Sequence, residues 1–217
     1  MGVKKKDIKV MKPKFIKGIE DRCAEISKIK DEDSFEYVYV SDCKIQNEVA
    51  DKVSLKGVIF KNVDFIDTRL NLLDITDVRF ENCDLSNINF DGAIIHRTEF
   101  INCRLTGLNL NNGTLQNVYM KQCNGEFAFM RFIQMKKVIF EDTILRNADF
   151  QNSNFSNIIF RKCDLRLSQM SGTSLSKIDL SDSNIEGLGI RQEDIKGAIV
   201  SPMQALDFAK LLGIVIK

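Results

Sequence analysis

The sequence predicts an all-β solenoid, a β-helix with four walls, and three observations predict it. A five-residue phrase recurs: residues 148–165 read ADFQNSNFSNIIFRKCDL, with Phe or Leu at 150, 155, 160 and 165. From Ile45 to Val200 nearly every fifth residue is large and apolar, with no slip in register. A period of five fits neither a helix at 3.6 nor a strand at 2, whereas a chain turning its apolar side inward every five residues closes a square in four repeats. Positions twenty apart share a character, as such a square requires. Cys43, Val63, Cys83, Cys103, Cys123, Thr143, Cys163 and Ser183 form one column, and Phe60, Phe80, Phe100, Phe140 and Phe160 dominate another. These two columns are the expected core stack.

The 217 residues divide into a basic tail and cap (1–35), the coils (36–200) and a C-terminal helix with a strand (201–217). Residues 1–18 hold seven lysines. They read as a solvated, partly mobile tail, with a nucleic-acid arm as the alternative. Direct nucleic-acid binding would rest on this tail and is not expected. Ile19, Cys23, Ile26 and Ile29 have helical spacing, so a short amphipathic helix is expected to cover the first coil, whose open end would otherwise expose apolar side chains. Residues 36–54 fit the repeat least well. Glu48 takes an inward position and Ala50 a centre, which predicts an irregular first coil.

Residues 55–120 are regular. Asn62, Asn82 and Asn102 stand two after each aromatic centre, where side-chain carbonyls can hold tight turns. The stacked cysteines are expected to be buried free thiols acting as small apolar groups. Parallel side chains rarely give the dihedral that a disulfide needs. The repeat then departs at CNGEFAFMRF, residues 123–132. Gly125 takes a centre, and Phe127, Phe129 and Phe132 fall at outward positions. One reading is a local bulge with Phe127 folded over the gap left by Gly125. The other is an exposed aromatic patch, with Arg131 among the rings, for a protein partner.

Ser201-Pro202-Met203-Gln204 reads as a capping box with Pro at the first helical position. Leu206, Phe208, Ala209 and Leu212 supply an apolar face, and Gly213 a stop. Ile214, Val215 and Ile216 then read as a short apolar strand. Left open in a monomer it would be sticky, so pairing with a second copy is expected, through Leu206, Phe208, Leu212, Ile214, Val215 and Ile216.

The usual marks of catalysis are missing. His96 is the only histidine and has no paired nucleophile. There is no phosphate-binding loop, no zinc-type cysteine spacing and no cofactor motif, so function is expected from the surface of a rod and not from an enzyme site. No apolar run approaches the ~20 residues of a membrane span. Six cysteines without a signal peptide suggest a reducing, cytoplasmic setting. Residues 36–200 hold 22 acidic and 19 basic residues, against 7 and 10 in residues 1–35. Asp64, Asp84, Glu99, Glu141, Asp142 and Asp164 belong to a mildly acidic ridge on the sides centred on residues 40 and 45 and their repeats. An ordinary mixed surface is the alternative.

The repeat over residues 36–200 resembles the pentapeptide-repeat family, and that resemblance implies a right-handed quadrilateral β-helix. The C-terminal stretch, with CDL at 163–165, IEGLGI at 185–190 and a helix ending LLGIVIK, is similar to the tail of the Qnr-type, MfpA-like quinolone-resistance proteins; so is the CNGEFAFMRF segment. This second resemblance implies a dimeric DNA mimic that binds DNA gyrase or topoisomerase IV and protects it from quinolones. Members of that group tend to be acidic, whereas this chain has a formal charge of +1. A structural rod for another cytoplasmic partner is the competing expectation.

Overall fold

The computed structural model describes residues 8–26, 28–211 and 213–215. Eleven strands and one helix follow one another in it. They are β1 (Ser34–Glu36), β2 (Tyr39–Gln46), β3 (Val49–Asp51), β4 (Ser54–Lys56), β5 (Ile59–Ile66), β6 (Arg69–Asn71), β7 (Asp74–Glu81), β8 (Ile94–Ile101), β9 (Thr114–Lys121), β10 (Gln134–Glu141), β11 (Asn154–Arg161) and α1 (Pro202–Leu211). Every strand pair is parallel with partners twenty residues apart: Phe60 with Phe80, Phe80 with Phe100, Phe100 with Met120, Met120 with Phe140, Phe140 with Phe160. The chain is a β-solenoid with four walls to each coil, and the twenty-residue square read from the sequence is its architecture.

The walls are of two kinds. From β7 to β11 each strand turns a corner and serves two walls, giving a continuous ladder. On the other two walls the coils from residue 84 onward meet through single bridges, such as Asp84 with Arg104 and Asn89 with Asn109. Local turns explain the difference. The Leu108 N–H donates to the Leu105 carbonyl (3.1 Å) and the Gly113 N–H to the Leu110 carbonyl (3.2 Å). An N–H closing a β-turn cannot also pair with the next coil.

Corners demand a left-handed residue two after a centre. Asn62, Asn82, Asn102, Asn112 and Asn152 have φ of 53°, 54°, 52°, 59° and 54°. Asn visits this region more readily than other non-Gly residues, which is why the sequence is so rich in it here. Inside, the Phe60–Phe80, Phe80–Phe100 and Phe140–Phe160 rings stack at 5.1, 4.9 and 5.1 Å between centroids. That is close to the spacing of adjacent strands, so one ring per coil fills the axis. The cysteine column has a further role. Cys83, Cys103, Cys123 and Cys163 donate Sγ–H to the carbonyls of Phe60, Phe80, Phe100 and Phe140, at 3.4–3.5 Å. Thr143 makes the same bond to Met120 (3.4 Å), and Ser153 to Met130 (2.8 Å). The position wants a small side chain carrying a donor, and Cys, Thr and Ser all qualify. Burial pushes the Cys163 thiol up to about 12, which keeps it protonated.

Three expectations need correcting at the N-terminal end. The helix expected over Ile19–Ile29 shrinks to a single 3-10 turn at Ile19–Asp21. Ile26 and Ile29 still join the core and close the coil, Ile19 is buried apart from it, and Cys23 faces solvent and bridges to Tyr39. The first coil is regular, not irregular, with β2 in full register on β5. Half-buried Glu48 finds a partner, since its carboxylate accepts the Ile29 N–H at 2.7 Å. The described part of the tail is not a solvated arm. Residues 8–17 form a strap along the outside of the rod: the Lys14 N–H donates to Asp77 Oδ1 (2.9 Å) and the Met11 N–H to Asn117 Oδ1 (3.3 Å). The Arg79 guanidinium lies 5.3 Å from the Phe15 ring centroid. Ile8, Val10, Pro13, Phe15 and Ile16 are half-buried.

At the other end the capping box forms as read. Ser201 N–H donates to Gln204 Oε1 (2.8 Å) and Gln204 N–H to Ser201 Oγ (3.3 Å). Gln204 also fixes α1 to the last coils by donating to the Leu180 and Ser183 carbonyls, at 2.8 and 2.7 Å. Gly213, at φ 72°, ends the helix. Ile214 and Val215 are exposed and lie in no strand, in contrast to the strand expected there. Leu206 is exposed and Phe208 packs on the core. Of the expected dimer residues, Leu212 and Ile216 lie outside the described residues. None of the described helices is long and apolar enough to cross a membrane.

Candidate functional site

The departure at residues 123–132 keeps the coil geometry. Asn124 bridges to Ile144 and Phe129 to Asp149, each twenty residues on. Ala128 N–H closes the usual turn to the Gly125 carbonyl at 3.2 Å. There is therefore no bulge, and Phe127 does not fold over Gly125. The space beside Gly125 is taken from the next coil: a Cβ at Gly125 would stand 3.1 Å from Leu145 Cδ2.

The three rings point outward. Phe127, Phe129 and Phe132 are 52, 47 and 53 % exposed. Phe129 sits in mid-wall, while Phe127 and Phe132 occupy the corners on either side, so the three cross the full width of one wall. Both corner rings are in the left-handed region, at φ 60° and 55°. A bulky residue gains nothing there and is conformationally costly. Arg131 stands between Phe129 and Phe132 and is held by Asp149 (3.1 Å) and Gln151. On the same wall or its corners lie exposed Val49, Leu72 and Leu167, which sequence reasoning missed. Leu72 and Leu167 also have positive φ, 53° and 58°. Their signal was an apolar residue at a corner that Asn, Asp or Gly more often fills.

The six acidic residues of the expected ridge do not join this wall. Asp64, Asp84 and Asp164 share a column on the neighbouring wall. Glu99 and Glu141 belong to the ladder wall beyond it, in β8 and β10, and Asp142 is the corner between the two walls. Nor do they make an unbroken negative stripe, because cations interleave along the columns. Asp84 is paired with Arg104 (2.8 Å), Glu99 with Arg79 (2.9 Å), and Glu141 with Lys121 (3.4 Å) and Arg161. Asp164 is paired with Arg166 (2.6 Å) and Arg146 (3.6 Å). Glu99 is only 6 % exposed. The Arg166 hydrogen bonds hold the Asp164 carboxyl below the usual carboxylate range against the opposing effect of burial. His96 is half-buried against Arg97 and Asn117; burial and the Arg97 charge lower its pKa, which suits a neutral packing group. No group of His, Cys, Asp and Glu among the described residues could hold a metal ion.

Comparison with known proteins agrees with the coil. A profile of the pentapeptide repeat region matches residues 73–150, and one of pentapeptide repeats in eight copies matches residues 143–187. The chain belongs to the pentapeptide-repeat proteins. Solved structures similar to it include QnrB1, described as a plasmid-mediated fluoroquinolone resistance protein, at 16 % identity and TM-score 0.37, covering 87 % of this chain and 99 % of that one. HetL of the cyanobacterium Nostoc sp. strain PCC 7120, described as involved in heterocyst differentiation regulation, is 13 % identical with TM-score 0.39, covering 79 % and 87 %. Rfr23 of the cyanobacterium Cyanothece 51142 is 16 % identical with TM-score 0.29, covering 54 % and 64 %. No curated protein matches the chain.

Proposed function

We propose that this chain is a non-catalytic rod that binds a protein partner through the aromatic wall at Phe127, Phe129 and Phe132, with Arg131 among the rings. The observation that carries this reading is that two of the rings combine exposure with a left-handed backbone. Neither property helps the coil fold, and aromatic residues beside an Arg are the groups most often found at the centre of protein interfaces. The partner is a type II topoisomerase, DNA gyrase or topoisomerase IV. Support for that step comes from the Qnr-like C-terminal segment, and the engaged form is a homodimer joined through Leu206, Ile214 and Val215. Added to a supercoiling reaction containing a quinolone, the purified protein should restore supercoiling in proportion to its concentration. Lack of rescue over a wide concentration range would remove the topoisomerase step.

A second reading has its own observation. The cations paired with Asp84, Glu99, Glu141 and Asp164 break up the negative field that imitation of DNA would use. A rod working by contact alone, with another partner, needs no such field. A pull-down that retains neither gyrase nor topoisomerase IV subunits, but loses its prey when the three Phe are replaced, would favour this second reading.

A further inference from the structure

Many charges on the coils are paired with a neighbour. Asp77 with Arg97, Glu99 with Arg79, Glu81 with Lys61, Asp84 with Arg104 and Glu126 with Arg146 all pair across one coil step. The strap differs in setting four lysines close together in one short segment. Its apolar residues turn toward the rod, while Lys9, Lys12, Lys14 and Lys17 face solvent. Among the described residues none of the four has an ion-pair partner. The row is built rather than loose. Its backbone is fastened at two amides, Lys14 to Asp77 and Met11 to Asn117, three residues apart in the strap and two coils apart on the rod. Asp77 is fixed in turn by a bidentate pair with Arg97, at 2.6 Å for each bond. Toward the outer end of the strap the coils add exposed Lys136 and half-buried Lys137. The acids around it include Asp77, which is neutralised by Arg97, Glu99, which is paired with the Arg79 that lies over Phe15, exposed Asp74, and Glu20 and Asp21 at its base.

We propose that this lysine row is a binding surface for the phosphate backbone of a nucleic-acid duplex. An extended polyanion is the complement of unpaired ammonium groups set along a straight edge. Between a nucleic acid and an acidic protein, the composition of the row decides. A protein interface needs buried aromatic or aliphatic anchors at its centre, and Met11 is the one exposed apolar side chain in the strap. Contact with phosphates needs only positioned cations and is independent of sequence. The strap corner and the aromatic wall are separated by a full wall of the rod, so protein and duplex can be held together. This proposal does not depend on the topoisomerase reading, because it is tested without any topoisomerase.

The test is fluorescence anisotropy of a short mixed-sequence DNA duplex with the full chain. Four neutralised phosphates give a slope of about −3.6 in log affinity against log salt, roughly a 100-fold loss between about 50 and 200 mM. Replacing Lys9, Lys12, Lys14 and Lys17 together by Gln should flatten that slope and leave the thermal melt unchanged. Asn117→Gly keeps every charge and tolerates the left-handed backbone there, but removes the acceptor of the Met11 N–H, and should weaken binding with the slope retained. Three results would overturn the proposal: no binding at the lowest salt, a slope untouched by the four Gln, or equal competition by poly-glutamate, which would assign the row to an acidic protein.

Discussion

Residues 105–112 and 125–132 are the same stretch of wall in successive coils, and they carry opposite surfaces. Their backbones are interchangeable. Gly107 N–H donates to the Glu126 carbonyl at 2.9 Å and Phe127 N–H to the Arg146 carbonyl at 3.0 Å; Asn112 and Phe132 do the same at 2.9 and 3.0 Å. Inward, Leu108 and Leu110 are matched by Ala128 and Met130, all buried. Outward, Gly107, Asn109 and Asn112 become Phe127, Phe129 and Phe132. One coil has the residues its corners favour, and the next has residues they disfavour, with no change in path. Coil geometry therefore does not account for the three rings.

The comparison can be broken or sharpened by mutation. Largest should be the contrast between inward and outward Phe in neighbouring coils. Phe100→Ala, at the axis, should cost ~3–5 kcal/mol in denaturant unfolding, while Phe129→Ala should stay within about 0.5 kcal/mol. Similar losses at both sites would mean that the band is structural. Next, exchanging one coil's corner for the other's, by Phe132→Asn, should raise stability by about 1 kcal/mol as the left-handed strain is relieved, and weaken partner capture. A lower melting temperature would show that the ring is needed by the fold. Smallest is the charge change Asp84→Asn, expected within about 0.5 kcal/mol because its pair with Arg104 is largely solvated.

Acid should act on the strap rather than on either coil. Burial pushes the Asp77 carboxyl up, but hydrogen bonds from Arg97 and the Lys14 amide outweigh it and hold the group below its ordinary value. A lowered folded value means that the pinning is complete above the ordinary carboxylate value of 3.8 and fades as pH falls through the folded one. The amide signals of Met11 and Lys14 should hold steady from neutral to mildly acidic pH and move only below that range. Movement at pH well above the carboxylate range would point to His96 instead.

The coil was legible in the sequence because its determinants are local and repeated. One apolar centre in five, Asn at the corners and a small donor two before the centre recur often enough to survive exceptions. What escaped notice depended on contacts between distant segments. The gap at Gly125 looks empty along the chain and is filled by Leu145 from the next coil. The strap is read from its lysines as a free tail, and only the side-chain Oδ1 atoms of Asp77 and Asn117 show where it lies. Interleaved Ile8, Val10 and Phe15 were the available clue. The acidic ridge failed to be continuous because a list of acids by wall omits the cation one coil away.

Because Ile144 bridges to Asp164 as Asn124 does to Ile144, the molecule is a ruler graduated in single coils. Excising residues 144–163 would join matching backbone to matching backbone. It would bring the three rings one notch, about 4.8 Å, nearer to the end stopped by α1, with no change in the direction they face. A partner that grips both places would register that notch as a misfit, whereas one that grips the rings alone would not notice it.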